Sequence, residues 1–206
     1  MSDVLDVLIV DGPNWWNMCR ALGNPFLPCD PKFLRQLEGH LSQMLGREVR
    51  FSERLWVSRR VNRHRGNTRW LTNTVFPSLK GAGWQLCFPP PNISDEKPDD
   101  EHVKWLLWEY AERLPEGSLL GLGSGDGDFA ETIRDIKSAY PCLELAVITT
   151  SYGPFHANPS LRELSEKLPG VHFVDLLPPL PCLIDLLTGV RKSSYNTGRR
   201  LELQRY

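Results

Sequence analysis

Two short acidic turns hold the residues of this 206-residue sequence best suited to chemistry. Ser124-Gly125-Asp126-Gly127-Asp128-Phe129 follows the apolar run Leu119 to Leu122 and precedes a helical pattern from Ala130 to Ser138. Asp11-Gly12-Pro13-Asn14 follows a second apolar stretch, Asp3 to Val10, that reads as a buried strand. Both turns put carboxylates at a strand's carboxyl end, the edge of an open α/β sheet where ligand sites collect. The glycines allow the tight turn and close backbone approach that such a site needs. Carboxylates forced together repel and raise one another's pKa, so their usual partner is a hard divalent cation. Asp11, Asp126 and Asp128 are the natural ligands for Mg²⁺ or Mn²⁺, and Asn14 is placed to position a water or an aspartate. A cation so held lowers the pKa of a water, stabilises a leaving oxygen and neutralises a phosphate, which together are what phosphodiester hydrolysis requires. Asp and Asn are also favoured as turn residues and N-caps, and Asp128, just ahead of a helix, suits that plainer role as well.

Other groups are candidates for the same edge. Asp99, Asp100 and Glu101 open an amphipathic helix, where the helix dipole favours acids whether or not they do chemistry; helical register decides which of them faces the site. Lys97, beside them, is either a phosphate contact or a solvated lysine. Between Arg47 and Arg69 the chain holds eight arginines against two glutamates, a local charge of about +6. The part that follows a strand's carboxyl end, with Arg59, Arg60, Arg63 and Arg65, is expected to rim the same crevice. Arginine grips phosphate bidentately, and phosphate contacts supply most sequence-independent affinity for nucleic acid. Of the seven tryptophans, Trp15 and Trp16 directly follow Asn14, and Trp15 is the one assigned to stacking on an unpaired base. Trp105 and Trp108 are assigned to helix packing and Trp84 to a strand core.

The elements that must position these residues alternate. Strands are expected at Glu53 to Ser58, Trp84 to Phe88, Leu119 to Leu122, Leu143 to Thr150 and Val171 to Asp175, besides the first. Helices are expected from Asn14 to Leu22, Pro31 to about Leu45, Thr68 to Lys80, Asp99 or Asp100 to Arg113, Ala130 to Ser138 and Pro159 to Leu168. Proline at the helix starts and Gly81-Ala82-Gly83 or Pro115-Glu116-Gly117 at the stops punctuate the pattern. Such alternation implies an α/β fold with a mostly parallel sheet flanked by helices. The length suits one domain, over residues 1–178, followed by a basic C-terminal extension, 179–206.

Net charge is −1, so the total by itself predicts no polyanion binding, and the uneven distribution matters more. Five cysteines form no CxxC pair and are odd in number, which reads as a reduced, cytoplasmic protein. No apolar run approaches the roughly 20 residues needed to span a bilayer.

Three motifs, in order and each at a predicted strand or helix end, resemble those of the NYN domains, a branch of the PIN-like metal-dependent nucleases. They are Asp11-Gly12-Pro13-Asn14, Lys97-Pro98-Asp99-Asp100 and Ser124 to Phe129, and the resemblance covers residues 4 to about 150. It implies a PIN-like three-layer fold, with Mg²⁺ or Mn²⁺ bound by Asp11, Asp100, Asp126 and Asp128 and with Asn14 near the site. The expected activity is metal-dependent endonucleolytic hydrolysis of single-stranded or unpaired RNA. RNA is then the expected partner, a homodimer is allowed and a membrane is not involved. The alternative is a catalytically inactive PIN-like module that binds RNA or a protein, because position 107 is Leu where the family often carries an acid on this helix.

Overall fold

Six apolar segments become strands: β1 (Asp6–Asp11), β2 (Phe51–Val57), β3 (Gln85–Cys87), β4 (Leu119–Gly123), β5 (Glu144–Thr149) and β6 (Val171–Asp175). A computed structural model describes residues 4–59, 69–90, 97–151 and 157–176. The strands form one sheet in the order β3-β2-β1-β4-β5-β6, and every neighbouring pair is parallel. Parallel sheets need cover on both faces, and β1 is accordingly buried along its whole length.

That cover makes three layers. On one face lie α1 (Gly12–Ala21), α2 (Pro31–Leu45) and α3 (Phe76–Gly81), whose Met18, Leu37 and Leu79 share a core with Leu8 and Val10 of β1. On the other lie α4 (Pro98–Arg113), α5 (Ala130–Ala139) and α6 (Pro159–Lys167), where Leu107, Ile133 and Leu161 join Val7 and Ile9. The two-residue period of a strand thus splits β1 evenly between two cores, and each fully buried aliphatic contributes about 1.5–3 kcal/mol by leaving water.

Local signals set the helix ends. Asp30 accepts the Lys32 backbone N–H at 2.8 Å as N-cap of α2, Pro31 occupies its first turn, and Gly46 ends it at φ 66°. Residues 69–81 are helical as expected, but Leu71–Val75 is a π-helical turn in which the Phe76 N–H reaches back to Leu71. Pro77 has no N–H to offer the preceding turn, which is wound one residue wider. β3 is shorter than expected because the Trp84 N–H closes the helix before it, on the Leu79 carbonyl at 3.0 Å. Trp84 does lie in the core. Trp105 and Trp108 do not: they fall outside the buried stripe of Val103, Leu106, Leu107 and Tyr110, Trp105 is 56% exposed, and its ring stacks on His102 at 5.4 Å.

Strand order reverses between β1 and β4. The chain builds outward from β1 to β3, crosses back through α4, and builds outward the other way from β4. At such a reversal the loops after the two central strands part to opposite faces and leave a crevice at their carboxyl ends. α4 packs against β1, β2 and β4 and, as the crossover helix of parallel strands, begins at that same edge. Among the described residues no helix is long and apolar enough to cross a membrane.

Candidate metal centre

Asp11 ends β1 and caps α1: its Oδ1 accepts the Asn14 backbone N–H at 3.3 Å, and its Oδ2 accepts the Ser124 hydroxyl at 3.1 Å across the crevice. Ser124 Oγ in turn accepts the Asp126 N–H at 3.2 Å, and Asn14 Oδ1 accepts the Gly125 N–H at 3.1 Å. Two side chains from the β1 end therefore hold the loop after β4 in place. Asn158 braces the same loop from α6, its N–H donating to the Gly125 carbonyl at 2.9 Å. Asp126 Oδ1 accepts the Asp128 N–H at 3.1 Å, the capping geometry that its position before a helical turn suggests, while its other oxygen faces the Lys97 ammonium.

Carboxylate oxygens of Asp100, Asp126 and Asp128 lie within 4.8 Å of one another, close enough to share one cation. Register on α4 separates Asp100 from its neighbours. Asp99 is paired with Arg59 Nε at 2.7 Å, and Glu101 with Lys104 at 2.7 Å. Asp11, the fourth expected ligand, is not in the group of three. Lys97 takes part directly: its ammonium is 2.6 Å from Asp128, 3.4 Å from Asp100 and 3.6 Å from Asp126. A positive charge of the protein's own thus offsets part of the repulsion among the three acids.

The electrostatics follow from burial and neighbours. Asp11 is only 4% exposed, and desolvation lifts its pKa to about 7; the Asn14 N–H and Ser124 hydroxyl oppose the rise, and the charges of Asp100 and Asp99 add to it. Asp100 is also raised, first by burial and then by Asp99, with Lys97 pulling the other way. The Lys97 hydrogen bond holds Asp128 below the usual carboxylate range.

One expectation changes on contact with the fold. Trp15 offers no face to a base: it is fully buried, donates its indole N–H to the Ile148 carbonyl at 3.1 Å and packs edge-on against Phe33 and Trp84. Gly123 makes this burial feasible, since a β-carbon there would collide with the Trp15 ring at 2.7 Å. Trp16, the neighbour, is the half-exposed member of the pair. The described arginines of the basic run are divided between the two ends of the sheet. Arg47 makes a two-pronged pair with Asp6, Arg50 pairs with Glu48, and Arg54 lies over the Trp84 ring; Arg47 and Arg50 precede β2, at the sheet's opposite end. Arg59 stays at the carboxyl edge, held by Asp99. Arg60, Arg63 and Arg65 lie outside the described residues, as does the extension 179–206.

Ser124 and Asn158 are the parts of the site for which sequence reasoning supplied no role. Ser124 stood in the motif and signalled a turn; its tie to Asp11, 113 residues away, is a tertiary fact. On α4, Leu107 is fully buried and Glu109 pairs with Arg113 at 3.0 Å, so that helix adds no further acid to the centre. Compared with known proteins, the sequence matches no family model and no curated protein.

Proposed function

We propose that this protein is a metal-dependent endoribonuclease of the PIN-like NYN type, hydrolysing phosphodiester bonds in single-stranded or unpaired RNA. The observation that carries the reading is the meeting of Asp100, Asp126 and Asp128 within 4.8 Å at the reversal of strand order. Their donor set fits Mg²⁺ or Mn²⁺: oxygen only, anionic, and open to solvent at Asp126 and Asp128, whose side chains are 32% and 54% exposed. These three residues would hold the ion. When bound it would supply an activated water and neutralise charge on the phosphate and its leaving oxygen.

The chain's own groups do the rest. Ser124 and Asn14 hold the acidic loop against β1, so the carboxylates are preorganised. Asp11, with a pKa near neutrality, holds or releases a proton within this assembly. With a cation held by the acids, Lys97 would be free to neutralise a phosphate oxygen, and Arg59 adds charge at the rim. The preference for RNA rests on the likeness of the three ordered motifs to NYN domains. A reducing, cytoplasmic setting is supported by the described cysteines, Cys19, Cys29, Cys87 and Cys142, all of them free thiols.

The test is an end-labelled single-stranded RNA incubated with protein in Mn²⁺, Mg²⁺ or EDTA. Internal cuts with either metal, none in EDTA and none from a folded Asp126→Asn protein support the proposal; wild-type rates from Asp126→Asn would remove the site. The second reading, an inactive module, draws on Lys97 already sitting among the acids and on Leu107 in place of an acid. RNA retarded in a gel but uncut in both metals would favour it.

A further inference from the structure

We infer that the small aromatic pocket beside the acidic centre receives one unpaired nucleobase of the strand whose phosphate meets Asp100, Asp126 and Asp128. The inference rests on the nuclease reading and adds to it a recognition site. The pocket, about 250 Å³, opens between α1, the end of β2 and the π-helical turn before α3. Gly12 and Pro13 form one wall. Gly12 is the residue after Asp11, about 3.8 Å along the backbone, and Asp11 is tied through Ser124 to the loop that carries Asp126 and Asp128, so the pocket adjoins the turn that anchors the acidic loop. A liquid water occupies about 30 Å³ and drug-sized ligands take about 300–1,000 Å³, so this volume suits one ring system and not a whole nucleotide.

The chemistry of the walls is that of a base site. Trp16 presents a half-exposed indole, braced edge-on by Trp70 at 5.0 Å and by Phe26 at 6.2 Å, and Trp70 itself is 43% exposed at the rim. A ring so braced needs little ordering when a flat partner stacks on it. Trp56 lines the pocket and is only 2% exposed, yet its indole N–H has no acceptor among the described residues. This N–H is not sealed off from solvent, so it remains able to donate to a ring nitrogen or carbonyl of a nucleobase. Only glycine at position 12 leaves this N–H open, because a β-carbon there would collide with Trp56 Nε1 and the Val57 carbonyl. Asn17 and Ser58 add side-chain donors and acceptors that have no partner among the described residues. Arg59 directly follows Ser58 and Arg69 directly precedes Trp70, so two cationic side chains are joined in sequence to residues of the aromatic cluster.

The experiment measures binding of the full chain to a short single-stranded RNA in Ca²⁺, with an abasic nucleotide moved through each position in turn. One position is expected to weaken wild-type binding about 5- to 150-fold, the equivalent of about 1–3 kcal/mol for one base on an aromatic ring. Trp16→Leu should bind the intact and abasic strands alike, and Trp16→Phe should recover part of the difference. A flat scan with wild type, or the same penalty in Trp16→Leu, overturns the inference; the wild-type scan decides alone if the leucine variant does not fold. Cleavage in Mn²⁺ with a flat scan overturns the pocket and leaves the nuclease reading standing, whereas a wild type that neither binds nor cuts RNA ends both.

Discussion

Replacing Asp11 by Asn separates the charge of this residue from its shape. With a pKa of about 7 in the folded chain against 3.8 for the free side chain, Asp11 binds its proton more tightly folded than unfolded. Its contribution to stability is therefore fully present below pH 4 and is lost as pH rises through 7. The difference of about three pKa units corresponds to about 4 kcal/mol at the alkaline plateau, at 1.36 kcal/mol per unit. Near pH 5 only about 1.7 kcal/mol of that cost is incurred, so it grows by about 2.5 kcal/mol between about pH 5 and pH 8. An asparagine keeps the acceptor for the Asn14 N–H and has nothing to ionise. Urea denaturation in EDTA at pH 5, 6, 7 and 8 should show Asp11→Asn gaining on wild type by about 2.5 kcal/mol across the series. A difference that does not change with pH would refute the reasoning, since it would mean that Asp11 ionises as easily folded as unfolded.

Millimolar Mn²⁺ at one hundred times its Kd should stabilise wild type by about 2.7 kcal/mol, roughly 5–10 °C in Tm for a chain of this size; scanning calorimetry should find the shift much reduced in Asp126→Asn, and equal shifts would put the ion elsewhere. Lys97→Gln removes the ammonium that Asp100, Asp126 and Asp128 share, so its metal-free Tm should fall and its Mn²⁺ affinity by titration calorimetry should rise; unchanged affinity would show that the lysine does not compete for the carboxylates. Changing Arg59, Arg60, Arg63 and Arg65 together to Ala should weaken RNA binding across sequences and flatten the log-log salt dependence by up to about 0.7 per lost contact. An unchanged slope would leave those arginines as solvated surface and turn attention to Arg191, Lys192, Arg199, Arg200 and Arg205.

The alternation of strands and helices was legible in the sequence because it is written in local periodicities and punctuation. Pro31 to Leu45 was bounded correctly, since Asp30, Pro31 and Gly46 act on the backbone within a few residues of themselves. The acidic turns were legible for a similar reason: Asp11, Asp126 and Asp128 interrupt apolar runs, and carboxylates do that only at a strand's end or at a cost. What the tertiary structure alone decided is which distant segments meet. Strand order set β1 beside β4 and so joined Asp11 to Ser124. The docking of α4 sent Asp100 to the centre and Asp99 to Arg59. The same packing buried Trp15, left Trp16 at a pocket and carried Arg47 and Arg50 to the far end of the sheet. A periodic pattern states which face of an element is apolar and leaves open what covers it, because burial rewards any well-packed neighbour and only the competition among all segments selects one.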